Sequence, residues 1–116
     1  IVVSAINLAE VADRMMRVHG LTRLDLEQDL LTLGVTISEV DPPTALDAAA
    51  LRAQHYHRAR RSISISDCCA AAVTLDRDAV LATSDPALLA MVHAEGGRWM
   101  ALPDSNGETW SPEPPR

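Results

Sequence analysis

The run Ser62-Ile63-Ser64-Ile65-Ser66 alternates polar and β-branched residues, then breaks at Asp67 into Cys68-Cys69-Ala70-Ala71-Ala72, with no helix breaker until well past Leu75. A change of period at a serine and an aspartate marks a helix start. Ser66 suits the N-cap, which puts Asp67 at the first helical position, where a carboxylate gains from the helix dipole. The arrangement recurs further on. The apolar run Ala79-Val80-Leu81-Ala82 leads into Thr83-Ser84-Asp85-Pro86, read as strand, cap, carboxylate and a proline that a first helical turn tolerates. Two aspartates 18 positions apart therefore each sit on the lip of an element. In an α/β sheet such lips converge on one edge, and ligands bind there.

The 116 residues make one domain at most. A formal net charge of −6 argues against a sequence-blind polyphosphate binder held by bulk charge. Nucleic acid stays open as a partner, because carboxylates that hold a metal let the cation meet the phosphates. All 10 basic residues are Arg, which reads as a composition bias. The only cysteines, Cys68 and Cys69, are neighbours in the first turn of the proposed helix, about 100° apart around it, so a mutual disulfide is not expected. Small apolar helix residues in a reducing, cytoplasmic compartment fit them better than a metal or redox role. No apolar run approaches membrane-span length. The start at Ile1-Val2-Val3, without Met, reads as a chain whose upstream piece is missing.

From the beginning, Ile1 to Val3 ends a strand and Ser4 caps a helix over Ala5 to Val18 that Gly20 stops. Ile6, Ala9, Val11, Met15 and Val18 mark its apolar face. Asn7 and Glu10, three apart, share a face near its N-terminus. A lone Glu on a helix is usually a solvated surface residue. Glu10 differs in its company, Leu8, Ala9, Val11 and Ala12. Thr22 with Asp25 forms a capping box for a second helix ending at Gly34, whose buried stripe is Leu26, Leu30, Leu31 and Leu33. Val35 to Val40 alternates as a strand, and Asp41-Pro42-Pro43 starts a third helix.

That helix ends in His55-Tyr56-His57-Arg58-Ala59-Arg60-Arg61, the densest basic patch. It reads equally as cations set against a helix dipole, or as a phosphate-contacting surface of Arg58, Arg60 and Arg61. His55 and His57, two apart, point to different sides and make a poor metal pair. Val80 to Thr83 is a strand, Asp85 opens a helix that Gly96-Gly97 stops, and Arg98 to Leu102 is a last strand. Residues 1–102 form the domain. Residues 103–116, rich in Pro, Ser, Gly and charge, form a tail with little structure of its own. Asp104 in that tail is either a further acidic lip residue or a turn former beside Pro103.

The element order argues a parallel sheet with helices on its faces. If Glu10, Asp67 and Asp85 meet at the carboxyl edge, they need a cation to stay ionised together. Oxygen-only ligands suit Mg²⁺ or Mn²⁺, and such a centre hydrolyses nucleic acid. Ser4 to Val11, Ile65 to Ala72 and Val80 to Asp85 resemble the second, third and fourth acidic motifs of the PIN domain, most closely its VapC-type ribonuclease toxins.

The resemblance, spanning Val2 to about Leu102, implies a three-layer α/β/α sandwich on a parallel sheet. It implies Mg²⁺ or Mn²⁺ held by Glu10, Asp67 and Asp85, with Asn7, Ser84, Arg58, Arg60 and Arg61 as candidate substrate contacts. It also implies endonucleolytic cutting of RNA, a homodimer, and inhibition by a cognate VapB-like antitoxin. The family's first acidic residue ends an opening strand that would precede Ile1. The sheet is thus expected to lack its first strand and the metal one ligand, unless the missing N-terminal segment stays associated. Pro86-Ala87-Leu88 after Asp85 also departs from the basic or aromatic residues of many relatives. Two other classes remain: a non-catalytic PIN-like interaction module, and a receiver-type phosphotransfer domain, which would need a Lys that this chain does not have.

Overall fold

A computed structural model describes residues 1–57 and 62–113. The order is β1 (Val2–Ser4), α1 (Ala5–His19), α2 (Arg23–Leu33), β2 (Thr36–Ser38), α3 (Pro42–His55), α4 (Ile65–Asp76), β3 (Val80–Thr83), α5 (Pro86–Ala94) and β4 (Arg98–Ala101). Each of these helices starts at a Ser, Thr or Asp whose side chain accepts a first-turn N–H: Ser4, Thr22, Asp41, Ser64 and Asp85. These are the groups a helix end otherwise leaves without a partner. At the other end, α1 and α2 stop at Gly20 and Gly34, with φ of 69° and 67°, where a Cβ would be strained.

The expected alternation of helices and strands is met, and the strands pair in parallel. The sheet is split, however. Val2 to Ser4 pairs with Thr36 to Ser38, and Val80 to Thr83 pairs with Arg98 to Ala101, as two separate two-stranded sheets among the described residues. Between them lies a cleft of about 520 Å³. The strand read over Val35 to Val40 shortens to three residues, matching the length of β1 beside it.

The core is built on α4. Alanines and cysteines there let α3 approach closely, and Cys68, Ala71, Ala48, Ile63, Met91 and Val92 are all essentially sealed from solvent. No residue of α1 or α2 is buried. The apolar face read on α1 is therefore largely uncovered, with Val11 and Val18 exposed. The stripe read on α2 is a correction of the same kind: Leu31 is 82% and Leu33 65% exposed. On α1 helical periodicity identified an amphipathic surface that packs against little of the described chain, whereas the leucines of α2 are spread around the helix.

The tail holds more than was read into it. Trp110 packs edge-on against Trp99 and His93, with ring centroids 5.1 and 6.1 Å away. The Asp104 carboxylate accepts the N–H groups of Asn106 and Glu108, which makes it a turn former rather than a lip residue. No described helix is long and apolar enough to cross a membrane.

Candidate metal centre

Asp67 does not stand at the first helical position. Ser64 is the N-cap of α4 and Asp67 is its third residue, in a closed capping box: Asp67 N–H donates to Ser64 Oγ at 3.0 Å, and Ser64 N–H donates to Asp67 Oδ2 at 3.2 Å. The reading of Ser66 as cap is thereby corrected. Its hydroxyl is buried against that of Ser64 at 2.8 Å. The missed signal is a Ser followed three residues on by an acid, the spacing that identified Thr22 and Asp25. The alternating serines disguised it.

Asp85 is corrected in the same direction. It is itself the N-cap of α5, its Oδ1 accepting from Ala87 N–H at 2.9 Å, while its own N–H donates to Thr83 Oγ1 at 3.1 Å. Ser84, read as the cap, is exposed. Each aspartate thus commits one oxygen to a helix end.

Asn7 ties the two helix starts together. Its Nδ2 donates to the Ser66 carbonyl at 3.2 Å, while Ser4 Oγ donates to its Oδ1. Glu10, one turn along α1 on the same face, is exposed and not embedded in apolar company. Its charge reaches α4 all the same: Cys69 is pushed up first by burial, then by Glu10. Burial, with the Asp67 charge second, pushes the Cys68 thiol up to about 11. Both cysteines are free and buried, as core residues.

Asn7 and Glu10 of α1 accordingly lie against the first turns of α4, through Ser66 and Cys69, at the edge where β1 ends. Asp85 caps its helix where β3 ends. Among the described residues, no group of three His, Cys, Asp or Glu is arranged to hold a metal ion. The donor chemistry, oxygen from carboxylates only, suits a hard divalent cation. Of the basic patch, Arg58, Arg60 and Arg61 lie outside the described residues. His55 Nε2 meets Glu95 Oε1 at 2.7 Å, joining the ends of α3 and α5.

Compared with known families, the chain matches the model of the PIN domain over residues 1–93. No curated protein matches it.

Proposed function

From the premise that this chain belongs to the PIN domain family, one of generally metal-dependent nucleases, we propose that it is the catalytic chain of a Mg²⁺- or Mn²⁺-dependent endoribonuclease. The observation that carries the reading is the Asn7 bond to the Ser66 carbonyl, which brings the Glu10 and Asp67 helix starts to one edge. Glu10, Asp67 and Asp85 would hold the ion. When bound, it supplies an activated water and offsets charge building on the phosphodiester. The chain's own part is positional. The capping bonds of Asp67 and Asp85 fix one carboxylate oxygen each at a helix N-terminus, and the other would take the ion. Those N-termini also favour anions, so a phosphate approaching this edge meets partial positive charge. Asn7 and Ser84 would be substrate contacts, with the arginines at 58, 60 and 61 as further candidates from the sequence.

Within this proposal the protein is a cytoplasmic toxin that homodimerises and is silenced by a small VapB-like antitoxin. Support for a covering partner comes from the exposed apolar residues of α1 and α2, Val11, Val18, Leu24 and Leu31 among them. The second reading is a PIN-like interaction module without catalysis. Its support is that no three acidic groups are gathered to hold a metal among the described residues, and that capping alone accounts for Asp67 and Asp85.

Two substitutions separate the readings because they keep the caps. Asp67→Gln retains the box, since Gln serves at that position, and Asp85→Asn retains the N-cap. For the nuclease, each lowers Mg²⁺- or Mn²⁺-dependent cleavage of a labelled RNA about a hundredfold or more, with the thermal midpoint unchanged. Cleavage equal to the parent in both variants selects the module.

A further inference from the structure

Aromatic side chains are scarce in this chain, which has two Trp, one Tyr and no Phe. The tryptophans pack on each other, whereas Tyr56 joins neither them nor the core and is 41% exposed. Its place is nonetheless fixed. Tyr56 closes α3 as the C-cap, its N–H donating to the Arg52 carbonyl at 2.8 Å, and the Arg52 guanidinium lies over its ring with Cζ 4.4 Å from the centroid. Arg52 is held in turn, its Nε donating to the Ile63 carbonyl at 3.1 Å. Ile63 is sealed from solvent and lies ahead of the Ser64 cap, outside the hydrogen bonding of α4, so its carbonyl needs a donor from elsewhere. One planar group thus ties the ring to the residue that leads into the helix carrying Asp67.

That puts the ring beside the candidate metal edge. Asn7 of α1 holds the Ser66 carbonyl and Arg52 of α3 holds the Ile63 carbonyl, so the start of α4 is gripped from two helices. Charge agrees with the geometry: behind burial, the Cys68 thiol is pushed up by Asp67 and down by Arg52, which sets both charges near one sulfur. Arg17 and Arg23 are paired with Asp13 and Glu27, but Arg52 has no carboxylate partner among the described residues. In a chain of net charge −6, a guanidinium left without a counter-charge is a place that draws a phosphate. The ring beside it is pinned and reachable from solvent, so a second flat group can stack on it with little ordering still to be done.

We propose that Tyr56 is the stacking platform for one base of the RNA, with Arg52 behind the ring supplying the positive charge for that nucleotide's phosphate. Every base has a π-face, so such a platform grips a nucleotide without reading its identity. It places the strand against the Asp67 end of the site and leaves sequence choice to other contacts. The inference rests on the nuclease reading for RNA as the ligand, and its test is binding rather than cleavage.

The probe is a fluorescently labelled single-stranded RNA dodecamer, followed by anisotropy with Ca²⁺ as the cation to limit cutting during the titration. Tyr56→Ala weakens binding about tenfold, and Tyr56→Phe, which keeps the ring, stays within about twofold of the parent. Bases are then removed one at a time, as abasic riboses. At one position the removal costs the parent about tenfold and costs Tyr56→Ala nothing further. If abasic RNAs weaken both proteins alike, the ring is structural and the platform is overturned. Binding unchanged in Tyr56→Ala, a loss shared by Tyr56→Phe, or no RNA bound by the parent overturns it as well. Should Tyr56→Ala not fold, 2-aminopurine set at each position in turn decides on the unaltered chain: stacking quenches its emission at one position, and equal emission at all of them sinks the platform. The two readings fail separately. Binding that depends on Tyr56, with cleavage unchanged in Asp67→Gln and Asp85→Asn, ends the nuclease and keeps the platform; cleavage lost in those variants, with binding indifferent to Tyr56, does the reverse.

Discussion

Helices α4 and α1 meet at the candidate metal edge yet are held in opposite ways. Seven of the twelve residues of α4 are buried, whereas none of the fifteen in α1 is. The helix carrying Asp67 is clamped between α3, α5 and the strands. The helix carrying Glu10 lies on an open lobe, attached through Asn7 and β1. A site spanning the two inherits one rigid wall and one that settles only as well as its lobe is covered. That accounts for capped, well-placed aspartates beside an exposed glutamate.

The largest effect that could break this contrast is a truncation on each side. Leu89, sealed in the α5 core, should cost about 3 kcal/mol as Leu89→Ala, while Leu31→Ala on the open lobe should stay within about 0.5 kcal/mol, both from urea denaturation. Comparable losses would mean that α2 is covered in solution. Next, Gly97→Ala should destabilise by about 1–3 kcal/mol in the same assay, because an added Cβ falls 2.6 Å from Leu75 Cδ2 and 3.3 Å from the Val92 carbonyl. No change would mean that the clamped side yields more than its packing implies.

Smaller again is the cap. Asp67→Ala should lower stability by about 1 kcal/mol where Asp67→Gln does not, which isolates the box from the charge. The smallest effect is alkaline. The folded Cys68 thiol titrates near 11 against an ordinary 9.0, so its contribution is whole below pH 9 and fades as pH rises through about 11. The urea midpoint should fall over that interval, and less so in Cys68→Ala; identical curves would place the thiol in contact with water.

Much of this was legible in the sequence, because helix ends are local chemistry. Ser4, Thr22 and Asp41 were read as caps and Gly20 and Gly34 as stops, and β3 was read to the residue. The errors at Ser66 and Ser84 are shifts of one or two residues among competing serines, decided by which side chain reaches a free N–H. What the sequence could not show was covering. Periodicity marks the apolar faces of α1 and α2 without saying that anything packs on them, and it marks parallel strands without saying that they join. The proximity of Glu10 to α4 depends on the Asn7 bond across 59 residues, which no local pattern announces.

The aromatic corner has a practical consequence. Both tryptophans of the chain lie there, Trp99 donating its indole N–H to His93 Nδ1 at 3.2 Å with Trp110 stacked edge-on beside them. Intrinsic emission is therefore a local gauge of the last segment closing over α5 and β4. An optical melt followed at those wavelengths is blind to β1, α1 and α2, and would report a cooperative transition even if that lobe had loosened well before it.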